Sequence, residues 1–214
     1  MATNTNILLV EGRDDLHVVA QLLKHHLGLE KVEDVILIEN KESLSKLLTS
    51  LRNDLQRSDL ERVGIIVDAD DDLAARWMSL RDRLNSLDDI AMQAPDTPQP
   101  EGTILEAERL DRMVKVGIWL MPDNTLPGDL EKFVSFLIPT NDTLWTRAQT
   151  VISEIPQPDR RFGINQSKAE IHTWLAWQKE PGRPLGLAIR ARYLDPDAPK
   201  AQHFVTWLRQ LFEL

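Results

Sequence analysis

No cysteine occurs among the 214 residues. That excludes disulfides and thiolate metal sites, and it makes the cytoplasm the simplest compartment. Tyrosine occurs once, at Tyr193, so any chemistry that needs a tyrosine nucleophile has a single candidate. Long apolar runs are also missing: no stretch approaches the roughly 20 residues that span a bilayer. The opening Met-Ala-Thr-Asn-Thr-Asn carries neither the basic nor the apolar region of a secretory leader. Together these features argue against secretion and membrane insertion. Positive charge is in short supply as well, with 25 Lys and Arg against 34 Asp and Glu, a net charge of −9. A protein that grips nucleic acid through its overall field needs the opposite balance.

The shortage is uneven. Residues 1–142 hold 15 basic and 27 acidic side chains, whereas residues 143–214 hold 10 and 7. An acidic half beside a mildly basic tail suits a metal-dependent enzyme acting on a phosphate polymer, because bound cations reverse the local field. Ordinary surface scatter would give the same count. The hydrophobic content of 42% is enough for one good-sized core, or one core with a small appendage.

What is present is an alternation of strands and helices. Asn6 to Val10 reads as a strand, and Asp15 to Leu27 as a helix with Leu16, Val19, Leu22, Leu23 and Leu27 on one face, stopping at Gly28. Asp34 to Glu39 reads as a second buried strand, Ser43 to Leu55 as a helix, Val63 to Val67 as a third strand, and Asp71 to Leu84 as a helix. Such spacing implies parallel β-α-β crossovers. Residues 94–102 hold three prolines and a glycine and form a loop or the mouth of an insertion. Beyond it, Thr103 to Ala107 and Val114 to Met121 read as strands that Asp111-Arg112 could turn into a hairpin. Leu130 to Leu137, Thr143 to Ile155 and Ser167 to Gln178 read as helices, and Phe204 to Phe212 as a terminal amphipathic one. Trp174 and Trp177 read as core, and His25, His26, His172 and His203 show no ligand spacing.

Two strands run directly into acids. Ile7-Leu8-Leu9-Val10 leads to Glu11-Gly12-Arg13-Asp14-Asp15, and Val63 to Val67 leads to Asp68-Ala69-Asp70-Asp71-Asp72. In open α/β sheets, ligands gather at that edge. Asp15 shares a face with Glu11 if a helix begins near Gly12, and Asp68 and Asp70 point the same way if the chain stays extended. Carboxylates on adjacent strands suit a hard divalent cation such as Mg²⁺ far better than zinc. The bland alternatives are that Asp70 or Asp71 caps the next helix, that Asp129 caps another, and that Lys168 is a solvated helix residue.

Val10-Glu11-Gly12-Arg13-Asp14-Asp15, followed by Val67-Asp68-Ala69-Asp70, resembles the Toprim domain of topoisomerases, bacterial primases and the overcoming-lysogenization-defect (OLD) nucleases. The resemblance covers roughly residues 5–140 and is nearest to the nuclease branch and to small stand-alone Toprim-like proteins. It implies a Rossmannoid α/β domain over 1–140, with a mostly parallel sheet flanked by helices. Residues 141–214 would be a mainly helical extension packed on it. It also implies that Glu11, Asp68 and Asp70 are the catalytic and metal-binding acids, with Asp15 beside them. A third acidic station falls to Asp123, Asp129 or Glu131, and a downstream catalytic lysine to Lys168.

The expected function is therefore Mg²⁺-dependent hydrolysis of phosphodiesters in DNA or RNA, with Mn²⁺ as a substitute and Glu11 as ligand or general base. Tyr193 stands in no recognisable context, which argues against strand passage. The absence of cysteine argues against a primase zinc module, and no Gly-x-x-x-x-Gly-Lys-Ser/Thr sequence supplies an ATPase. Two alternatives remain open: a regulatory module that binds Mg²⁺ without turnover, and a non-catalytic subunit. The loop at 94–102 and the terminal helix are candidate contacts for a protein partner or a second copy of the chain.

Overall fold

The computed structural model describes residues 5–109, 112–163 and 166–214. Its strands are β1 (Asn6–Val10), β2 (Leu37–Asn40), β3 (Arg62–Asp68), β4 (Thr103–Arg109) and β5 (Arg112–Met121). Helices α1 (Arg13–Leu27), α2 (Leu44–Leu55) and α3 (Leu73–Asn85) fall between the first four strands. After β5 come α4 (Leu130–Ser135), α5 (Thr143–Glu154), α6 (Gln166–Ala176), α7 (Leu185–Arg190) and α8 (Pro199–Phe212). The strand order is β2-β1-β3-β5-β4. All pairings are parallel except β4 with β5. This is a mostly parallel, Rossmannoid α/β sheet covered by helices on both faces.

The period of two along each strand sorts side chains between two cores. Ile7, Leu9, Val63, Ile65 and Val67 pack against α2 and α3. Leu8, Val10 and Ile66 belong to the other core, with α1 and α4 to α8. Residues 141–214 thus share a core with β1 and β3. Because both faces are covered, β1 and β3 carry near-continuous apolar runs.

At two places the structure departs from the sequence expectation. The second strand is not Asp34 to Glu39: Val32–Asp34 form a 3-10 turn, Ile36 plugs the core, and the strand is Leu37–Asn40, none of it fully buried. The apolar pair Val35-Ile36 has strand propensity but serves the turn and the core, and β2 is an edge with a neighbour on one side only. Trp174 is buried as expected, but Trp177 is 40% exposed. Leu110 and Asp111 lie outside the described residues, and Arg112 already pairs with Arg109 across the hairpin. No helix among the described residues is long and apolar enough to cross a membrane.

The terminal helix needs a bare patch of sheet. Gly64 and Gly117 are partners in register on β3 and β5. A Cβ on Gly117 would come within 2.4 Å of Leu211 Cδ2, and one on Gly64 within 3.1 Å of the same atom and 3.2 Å of Phe212 Cζ. Two absent side chains therefore let α8 lie on the strands. Trp207 of this helix packs 5.4 Å from Trp119, which also meets Phe204 edge-on at 5.1 Å. Beyond the helix, Glu213 accepts hydrogen bonds from Arg62 and Lys115 at 2.5 Å each, pinning its end to the start of β3 and β5. Gly117→Val should destabilise the fold by about 1–3 kcal/mol through overpacking. Thermal unfolding should show it as a loss of roughly 2–4 °C per kcal/mol.

Candidate metal centre

The chain leaves β1 through α1 to one side and returns through α2 to β3 on the other, so the strand order reverses between β1 and β3. A crevice must open at their C-terminal ends. Glu11 follows β1 and Asp68 ends β3, so both reach that crevice. Helix α1 begins at once, and Asp15 reaches back so that its Oδ2 accepts the Gly12 N–H at 3.0 Å. A Cβ at Gly12 would stand 2.7 Å from that oxygen, so a side chain there would push the Asp15 carboxylate out of this position. Asp15 is only 5% exposed, and its Oδ1 is buried with no hydrogen-bond partner.

Later elements close the crevice. The first peptide of α4 meets β3: Leu130 N–H donates to Asp68 Oδ1 at 3.0 Å. Asp129 caps that helix by accepting Lys132 N–H at 2.8 Å, as the bland reading expected. Ser167 Oγ on α6 also donates to Asp129, at 2.7 Å to Oδ2. Glu131, 6% exposed, pairs with Lys168 Nζ at 2.9 Å. Contacts between α4 and α6 thus bring residues separated by nearly 40 positions beside the acids of β1 and β3. The sequence reading missed Ser167 as the partner of Asp129. A Ser-Lys pair opening a helix was the only trace of it.

Electrostatics follow from this crowding. Burial, reinforced by the charges of Asp15, Glu11, Asp129 and Glu131, pushes Asp68 up to about 9. Burial raises Asp15 to about 7; Glu11 and Glu131 add to the rise, and backbone hydrogen bonds, including that from Gly12, oppose it. The Lys168 ammonium is held above its usual range, chiefly by its hydrogen bond to Glu131, and keeps its proton at neutral pH. Hard-cation ligands that are buried, mutually repelling and partly unpartnered fit a divalent metal. A bound cation would satisfy Asp15 Oδ1 and remove the repulsion.

Two predicted ligands lie elsewhere. Asp70 does not point with Asp68: β3 ends at Asp68, and Asp70 has φ +51°, so the extended alternation has already failed. Its carboxylate is exposed and paired with Arg76, while its N–H donates to Gly128 O at 2.9 Å. It lines a cleft of about 780 Å³ with Asp71, Asp129, Trp145 and Ser167, next to the acids. Of the three later candidates, Asp129 and Glu131 join the group and Asp123 does not. Asp123 is buried under Lys200, at 2.6 Å, and accepts from Thr125 and Leu126; burial opposes its charge, but these bonds hold its carboxyl below the usual range. The acids of the crevice are not drawn into one tight knot, because several are drawn to separate donors. Among the described residues, the His, Asp or Glu set whose ligand atoms all lie within 4.8 Å of one another is His25, His26 and Asp197.

A family described as "Protein of unknown function (DUF3226)" matches residues 5–213. The chain belongs to this family. The match spans β1 to the end of α8, so both halves of the crevice lie inside it. Among solved structures, that of hypothetical protein PH0156 from Pyrococcus horikoshii OT3 is similar over 98% of this chain and 95% of that one, at 12% identity and a TM-score of 0.44. No curated protein matches the sequence.

The raised acids of this DUF3226 chain have a signed consequence for stability. A carboxyl whose folded value lies above its unfolded one stabilises fully below about pH 4, and that contribution is lost as pH rises through 7 and 9. In chelator, Asp68→Asn should therefore match wild type near pH 4 and gain on it progressively as the pH rises, becoming more stable by about 3 kcal/mol or more at pH 9. Melting curves across pH would check this, and Mg²⁺ should raise the wild-type curve at pH 8 while leaving the variant nearly unmoved.

Proposed function

We propose that the protein is an Mg²⁺-dependent phosphodiester hydrolase, a nuclease of the Toprim/OLD type acting on DNA or RNA, with Mn²⁺ as a substitute metal. The observation that carries this reading is the buried, unpartnered Asp15 Oδ1 beside an Asp68 that burial, reinforced by its acidic neighbours, pushes up to about 9. Glu11, Asp15 and Asp68 would hold the ion, with Glu131 and Asp129 at the far wall and Asp70 at the rim. A divalent cation bound there supplies Lewis-acid polarisation of a phosphoryl oxygen and of water.

The chain's own groups have separable tasks. Glu11 is half-buried at the mouth of the crevice, where its Oε2 accepts the Asp68 N–H at 3.4 Å, and it serves as a ligand or as the general base toward water. Lys168 keeps its proton and sits beside Glu131, so it acts as a positive charge toward a developing phosphorane oxygen and not as a base. The cleft lined by Trp145, Phe136 and Gln149 adjoins the acids, and its size suits part of a nucleotide. A location in the cytoplasm accords with a chain that contains no cysteine.

Labelled single- and double-stranded DNA and RNA, incubated with Mg²⁺ or Mn²⁺, test this directly. Cleavage should appear on at least one polymer, disappear with chelator, and fall by about a hundredfold or more in Glu11→Gln and Asp68→Asn. Lys168→Ala should lower turnover with little change in metal affinity. Intact polymers together with metal binding that is lost in Asp68→Asn would replace hydrolysis with a regulatory role for the same ion.

A further inference from the structure

We infer that His25, His26 and Asp197 form a second metal site, distinct from the acidic crevice and selective for a zinc-like transition metal. Their ligand atoms lie within 4.8 Å of one another, where the end of α1 meets the loop between α7 and α8. His25 Nε2 lies 2.8 Å from Asp197 Oδ1, and His26 Nε2 lies 2.8 Å from the carbonyl oxygen of Pro196. Consecutive helical residues diverge by about 100°. These two rings nonetheless turn edge to face, with centroids 4.8 Å apart, so that both reach the same loop.

The donor set of two imidazoles, one carboxylate and one carbonyl within reach is borderline-soft and four in number, which is what zinc takes and Mg²⁺ does not. In the metal-free protein, protons bridge each ring to an oxygen; one ion would replace both bridges. The loop is already set for this. Asp197 N–H donates to Asp195 Oδ1 at 2.9 Å and Ala198 N–H to Asp195 O at 3.3 Å, while Pro196 is buried. The C-terminal end of α1, whose carbonyls carry partial negative charge, lies at the same place. A hollow of about 410 Å³ lined by Gln21, His25, Glu30 and Pro196 provides a way in.

Positive neighbours set the affinity. Lys24 and Arg190 also line the hollow, and Arg192 Nη2 lies 3.1 Å from His25 Nδ1 and must release it when the ring binds metal. Binding is therefore expected in the range of about 1–100 µM. Arg192 is exposed and has φ +61°, the left-handed region that disfavours a side chain.

The test is titration of the full chain with Zn²⁺ by calorimetry and with Co²⁺ by visible absorption, in excess Mg²⁺. One equivalent should bind, with Co²⁺ bands showing nitrogen ligands. His26→Gln and Asp197→Asn should each weaken binding by about tenfold or more, Asp68→Asn should not, and Arg192→Ala should strengthen it. That last sign separates a metal site from a structural hydrogen-bond cluster. Absence of saturable binding would overturn the inference, as would binding abolished by Asp68→Asn but indifferent to the histidine and Asp197 variants. All variants are checked for wild-type circular dichroism, and gain of affinity in Arg192→Ala supports the site even if another variant misfolds.

Discussion

Like charges buried together are the constraint on which the arrangement depends. Asp15 and Asp68 lie in a crevice that also holds Glu11, Asp129 and Glu131, and burial together with those neighbouring charges raises the cost of ionising both. Nothing in the unfolded chain imposes that cost, so folding has to overcome it. The compensation is visible in the surrounding backbone. The first turn of α1 turns its free N–H groups toward Asp15, the first peptide of α4 donates to Asp68, and the positive ends of both helices face the acids. Two central parallel strands, buried on both faces, fix where those helix ends stand.

The C-terminal half is as necessary to this crevice as the strands. Glu131 comes from a helix of six residues, too short to hold its position alone, and it is set by α6 through Lys168 and, beside it, by Ser167 on Asp129. Helix α8 in turn fills the core under α4, where Phe204 meets Phe133 at 5.3 Å. The bare surface of Gly64 and Gly117 is thus linked to the acids by a chain of packing contacts. Groups from both sides of residue 140 therefore line one crevice.

Much of this was legible in the sequence because the features were local. β-branched runs that end in acids gave β1, β3 and their carboxylates, and the heptad-like leucines gave α1 and α2. What failed was whatever depended on a backbone angle or a distant partner. Asp70 was assigned by alternation, but a left-handed residue two places past the strand end ended the alternation. The apolar Val35 and Ile36 carry strand propensity, yet a 3-10 turn uses them to close the core. Helix α7 is only six residues long, below the length at which periodicity is readable. His25 and His26 gained a third ligand only from residue 197, and no spacing rule reaches across 170 positions.

Charge is distributed along α1 in the way its dipole favours. Asp14 and Asp15 occupy its first turn, and Lys24, His25 and His26 its last. That pattern alone accounts for where acids and bases sit on the helix, but it leaves two observations over. A dipole-stabilised carboxylate has no reason to be buried with an oxygen left unpaired, and imidazoles that merely neutralise a helix end have no reason to converge on adjacent oxygens of Pro196 and Asp197. Helical rise puts the two ends about 15 Å apart over ten residues, too far for a shared ion and beyond one Debye length at physiological salt. The two ends also differ in chemistry: oxygen donors of high charge at one, nitrogen donors with a single carboxylate at the other. A cation that suits one is a poor fit to the other, so the two ends of the same helix, each completed by its own neighbours, can keep a hard ion and a borderline one apart.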